Sequence, residues 1–105
     1  MIIDSHCHLN YEPMSSSLKE TIERANKDGV KYLLTISTED KSFENILNII
    51  SNNNCVYGSY GIHPHEAKNH KLITSEDIIQ KIELNKKIIG IGESGLDFYY
   101  NYSEK

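Results

Sequence analysis

Short apolar runs alternate along this chain with longer stretches whose apolar positions recur every three or four residues. Ile2 to His8 reads as a short buried strand, Val30 to Ile36 as a second, Cys55 to Ile62 as a third and Lys87 to Gly92 as a fourth. The second is near-continuously apolar and β-branched, the pattern of a strand covered on both faces. Between these runs, Leu18, Ile22 and Ala25 keep helical spacing, as do Phe43, Ile46, Leu47 and Ile50, and later Ile78, Ile79 and Ile82.

Local signals punctuate the pattern. Ser17 with Glu20, and Thr74 with Asp77, have the spacing of capping boxes. Ser37 and Thr38 are candidate caps for the second helix, and the polar cluster Ser51-Asn52-Asn53-Asn54 ends it. Gly29 stands where the first helix needs a positive φ to stop. Strand followed by helix, repeated, predicts an α/β fold of parallel βα units with four strands and three helices.

The placement of unusual polar residues narrows this further. His6 and His8, His63 and His65, and Glu93 all fall at the C-terminal ends of predicted strands. In a (β/α)₈ barrel that rim carries the active site. The expected architecture is therefore the first half of a TIM barrel.

At 105 residues the chain is one domain at most, 1–105. A barrel of this kind needs ~250 residues, so the domain is expected to be partial, truncated after its fourth strand. A net charge of −4 excludes a broad basic face; a nucleic-acid partner would be met through bound cations and a few local Lys or Arg residues. Two cysteines, Cys7 and Cys55, are too few for a disulfide scaffold and read as buried free thiols in a reducing compartment. Neither a signal peptide nor a membrane-spanning run is visible, which makes the cytoplasm the expected location.

The candidate chemistry starts at the first strand. Side chains at i and i+2 leave a strand on one face, ~6.6 Å apart at ~3.3 Å rise per residue. His6 and His8 can thus converge on one cation or two, with Cys7 pointing away; the alternative is two partly exposed histidines at a strand end. Glu93, set among glycines after an apolar strand, is the carboxylate candidate. It is costly to bury without a positive partner, although a loop acid paired with a lysine would look the same. Imidazole with carboxylate suits Zn²⁺ or Mn²⁺, or Mg²⁺ where oxygen ligands dominate. A carboxylate can also bridge two ions ~3.5–4 Å apart in phosphoester cleavage.

Other residues stay open between roles. His63 and His65 flank Pro64 and can contact a substrate phosphate, support a ligand from behind, or cap their loop. Asp97 can orient a histidine through its second ring nitrogen or simply occupy a turn. The run Phe98-Tyr99-Tyr100, with Tyr102, offers faces for base stacking or for packing under the rim.

Three segments together resemble the TatD family of metal-dependent deoxyribonucleases, within the wider metal-dependent hydrolases: Ile3-Asp4-Ser5-His6-Cys7-His8-Leu9, Gly61-Ile62-His63-Pro64-His65 and Gly92-Glu93-Ser94-Gly95-Leu96-Asp97-Phe98-Tyr99. The resemblance runs over essentially the whole chain. It implies a (β/α)₈ barrel, divalent metal ions (Mg²⁺, Mn²⁺ or Zn²⁺, two in a complete barrel), and hydrolysis of DNA phosphodiesters. It makes His6, His8 and Glu93 metal ligands, with Glu93 the bridge. His63, His65 and Asp97 lie nearby as substrate-binding or supporting residues. Asn10 and Ser94 depart from the family pattern. The later ligands, two histidines and an aspartate that would activate water, have no counterpart, so no catalytic base is assigned.

Two further readings follow. The chain can be a truncated, catalytically silent remnant that binds metal weakly or not at all, or a hydrolase of the same scaffold acting on another phosphoester or an amide. A half-barrel also leaves strand edges open, which predicts self-association or a complementing chain.

Overall fold

The computed structural model describes residues 1–64 and 74–95. The elements run β1 (Ile2–Cys7), α1 (Leu18–Lys27), β2 (Val30–Thr35), α2 (Phe43–Asn52), β3 (Val56–Tyr60), α3 (Ser75–Glu83) and β4 (Ile88–Ile91). Short 3₁₀ turns at Ser15–Ser17 and Asp40–Ser42 lead into α1 and α2. All three strand pairs are parallel, and the order is β1-β2-β3-β4. Each crossover moves one strand in the same direction. That is the winding of a barrel segment; a doubly wound sheet reverses its order at a switch point.

The helices cover one face of this sheet. Leu33, Val56 and Ile88 from the strands meet Ile22 of α1 and Phe43, Ile46, Ile49 and Ile50 of α2, with Ile78 and Ile82 of α3 packed against them. Ile46 is fully buried. Gly58 of β3 lies beneath α2 because a β-carbon there would stand 3.0 Å from both Ile46 and Ile88. The Lys87 ammonium reaches the carbonyls of Ile50 and Asn53, satisfying the C-terminal end of α2 from the start of β4.

The opposite face is bare among the described residues. It is a shallow apolar groove lined by Ile3, Ser5, Tyr32, Leu34, Tyr57 and Ile89. This corrects the expectation that the first strand is buried: Ile3 is 56% exposed and Ile2 is exposed beside it. The same holds for Ile89 and Ile91 of β4. The apolar run of a barrel strand is written for two covered faces, and here helices supply one.

The helix signals fared unevenly. Thr74 and Asp77 form the full capping box of α3. Gly29 ends α1 at φ +96°. Ser17, however, makes no capping bond to α1; it sits in the 3₁₀ turn, and its hydroxyl donates to the Pro13 carbonyl. Ser37 and Thr38 do not cap α2 either, since that helix starts at Phe43. Both are buried at the C-terminal rim of the sheet and serve the site described next. Cys7 and Cys55 are free and only partly buried.

Candidate metal centre

The first strand reaches the rim through an irregularity. Asp4 pairs with Leu33 and Cys7 with Thr35, so three steps along β1 face two along β2. Such a bulge re-aims the side chains beyond it. Leu33 and Thr35 are buried on the helix side, so Asp4 and Cys7 take that side and His6 and His8 the other. The Asp4 carboxylate accepts the His6 amide at 3.0 Å, closing the bulge locally. Cys7 donates to the Leu34 carbonyl at 3.4 Å. Burial, reinforced by the Asp4 charge, pushes its thiol up to about 12.

His8 is held from behind. Its Nδ1 lies 3.2 Å from the Ile36 carbonyl, which can only accept. Nδ1 therefore carries the proton, and the Nε2 lone pair is presented forward.

Glu93 arrives from the far end of the sheet on a polar lattice. Its amide donates to the Ser37 carbonyl at 2.7 Å, and the Gly92 amide to the Tyr60 carbonyl at 2.9 Å. The Ser59 hydroxyl accepts the Ser37 amide at 3.1 Å and donates to the Gly92 carbonyl at 2.8 Å. The closest approach is at Gly61, where a β-carbon would stand 2.4 Å from the Gly92 carbonyl carbon and from the Glu93 oxygen. Only a residue without a side chain lets that peptide lie so close.

The side chains then meet. Glu93 Oε2 is 3.4 Å from His6 Nε2 and 3.3 Å from His8 Nε2, while Oε1 is 3.3 Å from His63 Nε2. Donor atoms of His6, His8 and Glu93 all lie within 4.8 Å of one another. In a flat sheet β1 and β4 would be three strand spacings, ~14 Å, apart. Long side chains from both ends close that gap because the sheet curls. Among the described residues, the partners of Glu93 are imidazoles and not a lysine.

The donor set fits a cation. An ion ~2.1 Å from each of its tetrahedral ligands places those ligands ~3.4 Å apart, close to the spacings of Oε2 from the two Nε2 atoms. Two neutral nitrogens with one carboxylate oxygen suit Zn²⁺ or Mn²⁺. His65 and Asp97 lie outside the described residues. His63 is brought to the site, with its amide donating to the Thr38 carbonyl at 2.7 Å. Tyr11, Ser37, Thr38, Ser59 and Gly61 also shape the site, and sequence periodicity carries no signal for them. Their roles lie in single close contacts.

The family model for TatD related DNases matches residues 3–105. The chain belongs to that family. A metal-dependent hydrolase of Buchnera aphidicola (subspecies Baizongia pistaciae), itself uncharacterized, is 38% identical over 99% of this TatD chain and 40% of its own length. Bacillus subtilis YabD, likewise named an uncharacterized metal-dependent hydrolase, is 31% identical over 100% of this chain and 41% of its own. The crystal structure of YjjV, a TatD homolog from Escherichia coli K12, matches with a TM-score of 0.86 at 30% identity, covering 95% of this chain and 39% of YjjV. The four parallel strands and three helices among the described residues of this TatD chain are therefore part of a TIM barrel. It spans about two fifths of the length of these relatives.

Proposed function

We propose that this chain carries the first metal-holding part of a TatD-type hydrolase that cleaves DNA phosphodiester bonds with divalent metal ions. One observation carries the reading: His6, His8 and Glu93, from opposite ends of the sheet, bring their donor atoms within 4.8 Å of one another, with Glu93 Oε2 3.4 and 3.3 Å from the two imidazole nitrogens. When bound, a divalent ion supplies charge compensation and Lewis acidity at a phosphoryl oxygen. The chain's own residues set the stage for it. The Ile36 carbonyl keeps the proton on His8 Nδ1, which leaves Nε2 free to ligate. Glu93 offers Oε2 to the histidine pair and Oε1 toward His63, the disposition of a carboxylate able to bridge two ions. His63 steadies that second oxygen and faces the space a substrate phosphate would enter; His65 and Asp97 complete the assignment as substrate-binding or supporting residues.

DNA is the substrate under this reading, supported by the name of the matched family. No helix among the described residues is long and apolar enough to cross a membrane. The cytoplasm, where Cys7 and Cys55 stay reduced, is the proposed place of action. The bare sheet face and the open edges of β1 and β4 suit a second copy of the chain.

The test is incubation of the chain with linear DNA and Mn²⁺, with and without chelator, beside calorimetric Mn²⁺ titration. Cleavage that chelator abolishes and Glu93→Ala removes is the expected result. The variant should also weaken binding by at least ~100-fold, beyond the 10–100-fold that contacts behind a ligand are worth. Metal binding without cleavage would mark a silent remnant, and binding that survives Glu93→Ala would overturn the site itself.

A further inference from the structure

A ring that the metal reading does not use lies against one of its ligands. Three residues past His8 the chain turns back, and the Tyr11 amide donates to the His8 carbonyl at 3.1 Å. The Tyr11 ring then stacks on the His8 imidazole, with centroids 4.9 Å apart and planes 16° from parallel. His6 meets the same imidazole edge-on at 5.1 Å and 80°. Tyr11 is 43% exposed, so burial alone does not fix it. What fixes it is its hydroxyl, hydrogen-bonded to Oγ1 of the buried Thr38. The carbonyl of that same threonine accepts the His63 amide. Thr38 thus ties the loop after β1 to the loop after β3, one through its side chain and the other through its backbone.

We infer that Tyr11, anchored by the Thr38 hydroxyl, is a positioning residue for His8. This rests on the assignment of His8 as a ligand. The Nδ1 bond to Ile36 fixes one point of the imidazole and leaves it free to rock about that point. A flat phenol removes that freedom and holds Nε2 toward Glu93 before any cation arrives. Preorganisation of this kind raises affinity by lowering the ordering cost of binding. The contact also explains why Thr38, which has the sequence profile of a helix cap, is spent elsewhere.

Three variants separate the parts. Tyr11→Leu removes the ring, Tyr11→Phe keeps the ring and loses its hydroxyl, and Thr38→Val removes the anchor but leaves the carbonyl that holds His63. Each full-length chain is read three ways: side-chain NMR of His8 without metal, Mn²⁺ titration by calorimetry, and thermal melting. Tyr11→Leu should abolish the ring-current shift of the His8 protons and weaken Mn²⁺ binding about 10-fold, at the lower end of what supporting contacts are worth. Tyr11→Phe and Thr38→Val delete the same hydrogen bond, so each should cost a similar, smaller part of both, with melting little changed throughout. A His8 shift and Mn²⁺ affinity left unmoved by Tyr11→Leu would overturn the inference. So would losses that track loss of folded structure equally in all three variants. Failure of the underlying metal assignment is distinguishable, because the His8 shift is read without metal and Glu93→Ala serves as the binding control.

Discussion

The two faces of the sheet are built from similar residues and meet different fates. On one, Leu33, Val56 and Ile88 are sealed beneath α1 and α2. On the other, Ile3, Tyr32, Tyr57 and Ile89 line an open groove, and the strand ends of that face carry His6 and His8. The sealed face holds the chain together; the bare face leads up to the site. Stability and chemistry are therefore separable here in a way they are not when a site lies inside the core. An apolar run in a strand thus reports its intended neighbours and not the neighbours it has in a given chain.

Substitution beneath the helices should have the largest effect. Ile46 is wholly buried and touches the space above Gly58. Ile46→Ala removes buried methylene and methyl groups and leaves a cavity, which should cost about 3 kcal/mol. A fall in the denaturant midpoint at unchanged slope checks this. Mn²⁺ affinity of the folded fraction should stay at its original value. A parallel loss of affinity in molecules that are still folded would show that the two faces are coupled after all.

The rim comes next. In Gly61→Ala the new β-carbon would press into the Gly92–Glu93 backbone, from which nothing flexible can withdraw. Overpacking of this sort costs roughly 1–3 kcal/mol, and here the relief available is displacement of Glu93. Mn²⁺ binding should weaken by about 10-fold or more, more than the lost stability alone explains. Unchanged binding in a folded Gly61→Ala chain would mean that the close approach does not set the carboxylate.

How much of this was legible in the sequence follows from range. The strand–helix alternation and the parallel order rest on periodicity, and they appear as expected. The convergence of His6, His8 and Glu93 rests on strand ends sharing one rim, which the alternation also places. The bulge after Asp4 was not legible, because a one-residue register slip leaves no compositional trace. Ser37, Thr38 and Ser59 looked like cap or strand residues, since a hydroxyl's partner is set by tertiary contact. Ser17 misled for a related reason: its spacing to Glu20 suits a capping box, yet the chain enters α1 through a 3₁₀ turn that turns its hydroxyl back to Pro13. Gly61 reads as an ordinary motif glycine until the approach of Glu93 shows what its missing side chain permits.

The smallest change in stability tests the comparison most sharply. Ile89 is 60% exposed on the bare face, so Ile89→Lys replaces an apolar group that has little to lose on entering water. Its effect on the denaturant midpoint should stay within about 0.5 kcal/mol, as for surface positions generally. Its effect on assembly should be large. An apolar groove flanked by the open edges of β1 and β4 favours pairing with a second copy, and a lysine in that groove would bring two buried charges together across a symmetric contact. Sedimentation velocity should show the parent chain associating with rising concentration and Ile89→Lys remaining monomeric, with Mn²⁺ binding alike in both. A parent chain that sediments as a monomer throughout would mean that water tolerates this face as it stands, and the distinction between a covered and an uncovered side would then carry no consequence for assembly.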